Sequence, residues 1–224
     1  MKKLVIVGCG RLAGIVSDAV VNGLLPEYDL VGVYSRTAEK AERIVAKMQQ
    51  HGKTCMACTT IEDLLALKPN YLVEAASPAA MKELALPALK NGTSIVTLSI
   101  GALADTAFYQ EVMKTAQANG TRVYIVSGAT GGFDVLRTAS LMGNATAKFF
   151  NEKGPNALKG TAVYDEALQT EQRVVFSGNA TEAIAMFPTK VNVAVAASLA
   201  SVGPENMQMS MQSTPGFVGD TQRV

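Results

Sequence analysis

Apolar residues in the first half of the chain fall into short continuous runs, each followed by a longer stretch with helical spacing. Residues 4–7 are the first run, and Leu12, Ile15, Val16 and Val20 then mark one face of a helix over 11–24. Residues 30–34 form the second run. A helix over 37–50 follows, its outer face carrying Glu39, Lys40, Glu42, Arg43 and Lys47. A short strand near 54–58 and a helix near 61–67 come next. Strands at 71–74, 94–98 and 122–126 alternate with helices over 79–91 and 105–119, which close on Asn91-Gly92 and Asn119-Gly120. Such alternation predicts parallel βαβ units. The strands are apolar throughout rather than at every second position, so the predicted sheet is covered on both faces.

The pattern changes after Ser127. Gly128, Gly131 and Gly132 cluster, a helix is expected over 133–142, and 151–160 reads as a polar segment broken by glycines and a proline. A strand at 173–176, helices over 180–187 and 193–202, and an alternating strand at 207–212 complete the chain. Met207, Met209 and Met211 share one side of that strand and read as core filler. The expected organisation is an α/β domain over 1–126, with a doubly wound parallel sheet, and a smaller α+β domain over 127–224.

Composition narrows the function. Hydrophobic residues make up 48% of the chain, enough for packed cores, and 20 Lys and Arg against 19 Asp and Glu leave a net charge of +1. That balance offers no basic surface for nucleic acid and no polybasic membrane anchor. No uncharged run reaches membrane-spanning length, and the N-terminal apolar run is too short for a secretory leader. Three cysteines argue against a disulfide framework and for a reducing, cytoplasmic setting. Cys55 and Cys58 form a CxxC, either a redox pair or two small side chains on a strand; no thioredoxin-like context surrounds it. The single histidine, His51, lies too near it to complete a zinc site, so no metal is expected.

The chemistry begins at Gly8-Cys9-Gly10-Arg11-Leu12-Ala13, a G-x-G-x-x-[GA] fingerprint between a strand and a helix. Gly8 permits the turn, Gly10 lets a pyrophosphate approach the backbone, and Ala13 allows close helix–strand packing. The helix N-terminus presents partial positive charge to the phosphates. With the alternation behind it, this predicts a Rossmann dinucleotide-binding domain over 1–126, with Gly8, Gly10, Arg11 and Leu12 at the cofactor. NAD-binding chains usually carry an acid at the end of the second strand; here the residues are Ser35 and Arg36. Arg36, with Lys40, suits a 2′-phosphate, so NADP is expected in preference to NAD.

Four further segments resemble the L-aspartate dehydrogenase family: Glu74-Ala75-Ala76-Ser77-Pro78, Leu98-Ser99-Ile100-Gly101-Ala102-Leu103-Ala104-Asp105, Ser127-Gly128-Ala129-Thr130-Gly131-Gly132-Phe133-Asp134, and Phe187-Pro188-Thr189-Lys190-Val191-Asn192-Val193-Ala194. The resemblance implies oxidation of aspartate to iminoaspartate, with hydride passing to nicotinamide, in a homodimer whose cofactor lies between the domains. It implies cofactor contacts from Ala76, Ser77, Pro78, Ala129 and Asn192, and a substrate contact from Lys153. Two features depart from the family. Thr214-Pro215 stands where the family has Asp-Pro, and counting on from there places Gln222 at the catalytic His position. Gln can hydrogen-bond a substrate but cannot cycle a proton near neutral pH. The family pattern also continues beyond Val224, so the second domain is expected to be C-terminally incomplete. Three functions are therefore open: an aspartate dehydrogenase, a related dehydrogenase with another amino or oxo acid as its small-molecule substrate, and a nucleotide-binding sensor or partner without turnover.

Overall fold

The computed structural model describes residues 1–128, 130–188 and 190–224. They form two compact units, Met1–Ala102 with Thr106–Val126, and Ser127–Val224 with Leu103–Asp105.

The first unit is a six-stranded parallel sheet with helices between its strands. Its strands are β1 (Lys2–Val7), β2 (Tyr28–Tyr34), β3 (Met56–Cys58), β4 (Tyr71–Glu74), β5 (Ser94–Thr97) and β6 (Val123–Ile125), in the order β3-β2-β1-β4-β5-β6. The connecting helices are α1 (Arg11–Val21), α2 (Ala38–Gln50), α3 (Ile61–Ala66), α4 (Pro78–Lys90) and α5 (Thr106–Ala118). Central strand β1 buries four successive apolar residues, Leu4 to Val7, because helices cover both of its faces. Ala13 is fully buried on α1, where a larger side chain would hold the helix off the sheet. The order reverses between β1 and β4. In doubly wound sheets the crevice beyond the strand ends at such a point receives the ligand.

Helices α3 and α4 start with ordinary side-chain caps. The Thr60 side chain accepts from the Asp63 amide at 3.0 Å, and that of Ser77 accepts from Ala80 at 3.2 Å, with Pro78 at the first helical position. Helix α1 begins at Gly10 with no side-chain cap and no acid in its first turn.

The second unit holds a four-stranded mixed sheet in the order β10-β7-β9-β8. Its strands are β7 (Lys148–Lys153), β8 (Arg173–Asn179), β9 (Gln208–Ser213) and β10 (Asp220–Arg223), accompanied by α6 (Phe133–Leu141), α7 (Ala180–Met186) and α8 (Asn192–Leu199). Strands β7 and β9 are parallel, and the two outer pairings are antiparallel. The methionine stripe is core, as expected: Met207, Met209 and Met211 are buried with Phe149, Phe176 and Phe187. Phe176 meets Phe187 edge to face at 5.8 Å.

Two strands correct the sequence reading. The polar segment expected over 151–160 begins inside β7, where Lys153 is a buried strand residue. Residues 220–223, for which no element was expected, form β10. The inward side of β7 is Phe149, Asn151 and Lys153, and β10 is polar throughout, so hydrophobic alternation could mark neither.

Candidate functional site

The fingerprint turn is built as its residues dictate. Gly8 has φ +91°, and a Cβ there would lie 2.7 Å from the backbone of Ala75 and Ala76. No residue but glycine fits the turn. At Gly10 a Cβ would meet nothing within 4 Å, so the space beside the start of α1 is open for a ligand to approach the backbone. Open space and an uncapped helix start with no acid in its first turn fit a pyrophosphate, although Glu83 of α4 also lines the cleft there. Arg11 and Leu12 are both exposed at that end of α1.

A cleft of about 230 Å³ runs past Gly8, Gly10, Ser35, Arg36, Lys40 and Ala76. A second hollow, of about 290 Å³, shares Tyr34, Ser35 and Arg36 with it and reaches Cys58 and Thr59. Of the expected residues the cleft brings together Gly8, Gly10, Ser35, Arg36 and Ala76, whereas Arg11, Leu12, Ser77 and Pro78 line neither hollow. The Ser35 hydroxyl oxygen accepts from the Thr37 amide at 3.2 Å, which leaves its O–H free to donate. Arg36 and Lys40 are exposed, and Glu42 also lines the second hollow.

At the end of β4 the structure adds a residue that sequence reasoning did not assign. Glu74 is fully buried. Its Oε1 accepts from the amides of Ala76 (2.8 Å) and Ser77 (3.0 Å) and from the Ser99 hydroxyl (2.8 Å). Its Oε2 accepts from the Thr97 hydroxyl (2.9 Å) and the Ser99 amide (3.1 Å). The signal in the sequence was an acid closing an otherwise apolar strand. Ser77 and Pro78 are half-buried and Ala76 is exposed on this loop.

The expected residues of the second unit gather on its sheet. Lys153 is buried, and its Nζ donates to Asp220 directly across the β7–β10 ladder. Asn151 donates to the other Asp220 oxygen and, at 3.1 Å, to the Thr221 carbonyl. Gln222 pairs with Asn151 in the ladder and accepts from the Thr130 hydroxyl. Ser213, beside Lys153 on β9, is fully buried, and its hydroxyl has no hydrogen-bond partner among the described residues. Asn192 is the first residue of α8 and half-buried. Ala129 lies outside the described residues.

The cysteines behave as small buried side chains. Burial pushes the Cys9 thiol up to about 11 and the Cys55 thiol up to about 12, and it raises Cys58 with help from Asp63. Thiols held protonated in this way are poor nucleophiles, which favours the reading of the CxxC as two small buried side chains. Among the described residues no cluster of His, Cys, Asp or Glu is placed to hold a metal ion. No helix of the described residues is long and apolar enough to cross a membrane.

Comparison with known proteins follows the same division. Residues 8–126 match the homoserine dehydrogenase NAD binding domain family, and residues 134–224 match the aspartate dehydrogenase C-terminal family. The L-aspartate dehydrogenase of Methanococcus maripaludis is 30% identical over 213 residues, spanning 93% of this chain and 78% of the relative. That of Methanocaldococcus jannaschii is 32% identical over 213 residues, spanning 91% of this chain and 76% of the relative. The crystal structure of aspartate dehydrogenase from Thermotoga maritima superposes with a TM-score of 0.75 at 23% identity, covering 99% of this chain and 83% of that one. Fold, fingerprint and both halves of the sequence thus agree: the chain belongs to the L-aspartate dehydrogenase family.

Proposed function

We propose that the chain oxidises L-aspartate to iminoaspartate, which water converts to oxaloacetate and ammonia, with NADP preferred to NAD. The observation that carries the cofactor reading is the bare start of α1 at Gly10, beside an end of β2 that has no acid. Gly8, Gly10 and the first amides of α1 would hold the pyrophosphate, with Arg11 and Leu12 at its edge. Ser35, Arg36 and Lys40 would hold the adenosine end and its 2′-phosphate. Ala76, Ser77 and Pro78 would line the nicotinamide ribose, and Asn192 the nicotinamide. When bound, the nicotinamide ring supplies the hydride acceptor for the substrate Cα–H. Lys153 would bind a substrate carboxylate, a role supported by its burial and by the unpartnered Ser213 hydroxyl beside it. Gln222 would orient the substrate by hydrogen bonding without moving a proton. We also place the protein in the cytoplasm as a homodimer; three buried free thiols fit a reducing compartment.

One observation favours a second reading. Lys153 is already paired with Asp220. A dicarboxylate needs a cation that is not neutralised, so a different amino or oxo acid, or binding without turnover, follows if the pair stays closed. The test mixes full-length protein with oxaloacetate, ammonia and either NADPH or NADH and follows the absorbance of the reduced nicotinamide. Turnover that is faster with NADPH supports the first reading, and a preference for NADH removes the Arg36 argument. Cofactor binding without turnover on a panel of oxo acids supports the second. Activity gained on Gln222→His would place that position at the substrate.

A further inference from the structure

We propose that Glu74 is a positioning residue for the nicotinamide half of the cofactor, through the strand-end loops that it ties together. This rests on the nicotinamide-dinucleotide reading of the first unit. Glu74 and Lys153 are the buried charged side chains of the described residues. A buried carboxylate carries a large desolvation cost unless hydrogen-bond donors surround it. Here five donors do so, three on Oε1 and two on Oε2. All come from the ends of β4 and β5 and the loops that follow them. Folding alone does not call for a charge at this place: β1, β2 and β6 end on Val7, Tyr34 and Ile125.

What the carboxylate accomplishes is local and directional. It fixes the amides of Ala76 and Ser77, so the loop entering α4 has one position. That loop lies against the fingerprint turn so closely that a single Cβ on Gly8 would strike it at 2.7 Å. A shift of the loop away from that turn therefore reshapes the β4 side of the cleft, which Ala75 and Ala76 line. Glu74 also places a fixed negative charge at the start of α4, while the start of α1 carries neither cap nor acid. A pyrophosphate is repelled from the first helix end and accepted by the second. The site thus has one register for the dinucleotide, with its nicotinamide half directed to the β4 side.

The test compares full-length wild type with Glu74→Gln, which keeps the shape but turns an amide N–H₂ toward donors. Binding of the reduced dinucleotide is read by nicotinamide fluorescence and binding of ADP by calorimetry. The expected result is a split: dinucleotide affinity falls about tenfold or more, as losing hydrogen bonds to a charged group implies, while ADP affinity holds within about twofold. Ser99→Ala, which removes one donor, serves if Glu74→Gln does not fold; there the expected loss is about fivefold for the dinucleotide alone. Equal losses for both ligands, or no loss for either, overturn the proposal while the dinucleotide reading stands. Wild type that binds ADP but not the dinucleotide overturns both.

Discussion

A methyl group added at position 8 and one added at position 10 have opposite consequences. At Gly8 it meets the Ala75 and Ala76 backbone at 2.7 Å and demands a φ of +91° from an L-residue. Gly8→Ala should cost about 3 kcal/mol or more, read as a shift in denaturant midpoint. Gly10 has φ −88° and open space around its missing Cβ. Gly10→Ala should therefore change stability by less than about 0.5 kcal/mol, yet weaken dinucleotide binding, because the methyl fills the approach to the backbone. A Gly10→Ala variant that binds the dinucleotide as tightly as wild type would refute the assignment of that space. The cysteines give a second residue-scale expectation. In the unfolded chain a thiol ionises near 8.5, whereas Cys9 and Cys55 are pushed up to about 11 and about 12 in the fold. Between those limits the unfolded chain binds fewer protons, so stability is full below about pH 8.5 and declines as pH rises toward 11 and 12. Urea midpoints measured across that window should fall, and replacing Cys9 and Cys55 by Ala should flatten the fall.

At the scale of elements, the β7–β10 ladder depends on one charge pair. Lys153 is buried, while the Asp220 side chain is 40% exposed. Removing the carboxylate leaves the lysine uncompensated, so Asp220→Ala should destabilise the fold by about 2 kcal/mol, less than the loss of a fully buried pair. Chemical denaturation checks it; no change would mean that water reaches Lys153 freely. This ladder is also where the sequence was least legible. Strands β1 to β6 and helices α1 to α5 were readable because each strand is an apolar run between glycines or helix caps, and the structure moves their ends by only a few residues. Strand β7 puts one apolar residue, Phe149, on its inward side and β10 puts none, so their pairing is set by β9 and by Lys153, Asn151 and Asp220. The same difference runs through the site. The fingerprint announces itself because two glycines at fixed spacing stand between an apolar strand and a helix. Glu74 does not, because an acid ending a strand looks solvent-exposed until the donors of residues 76 to 99 are folded around it.

For the whole molecule, two units with separate cores predict a localised response to ligand. Dinucleotide at 100 times its dissociation constant should stabilise the folded state by about 2.7 kcal/mol through mass action. Hydrogen exchange should slow first at the ends of β1, β2 and β4 and at the start of α1, since those amides line the cleft. Protection confined to the second unit would contradict the placement of the cofactor.

The uncapped start of α1 has a consequence for how this sequence can change. A serine or aspartate at position 10 would finish the helix as Ser77 finishes α4, for roughly 1 kcal/mol of added stability. The same side chain would occupy the approach that a diphosphate uses. Selection for heat resistance alone would therefore be expected to fill this turn early, whereas selection for turnover would keep it empty. The glycine there is a standing compromise between durability and binding.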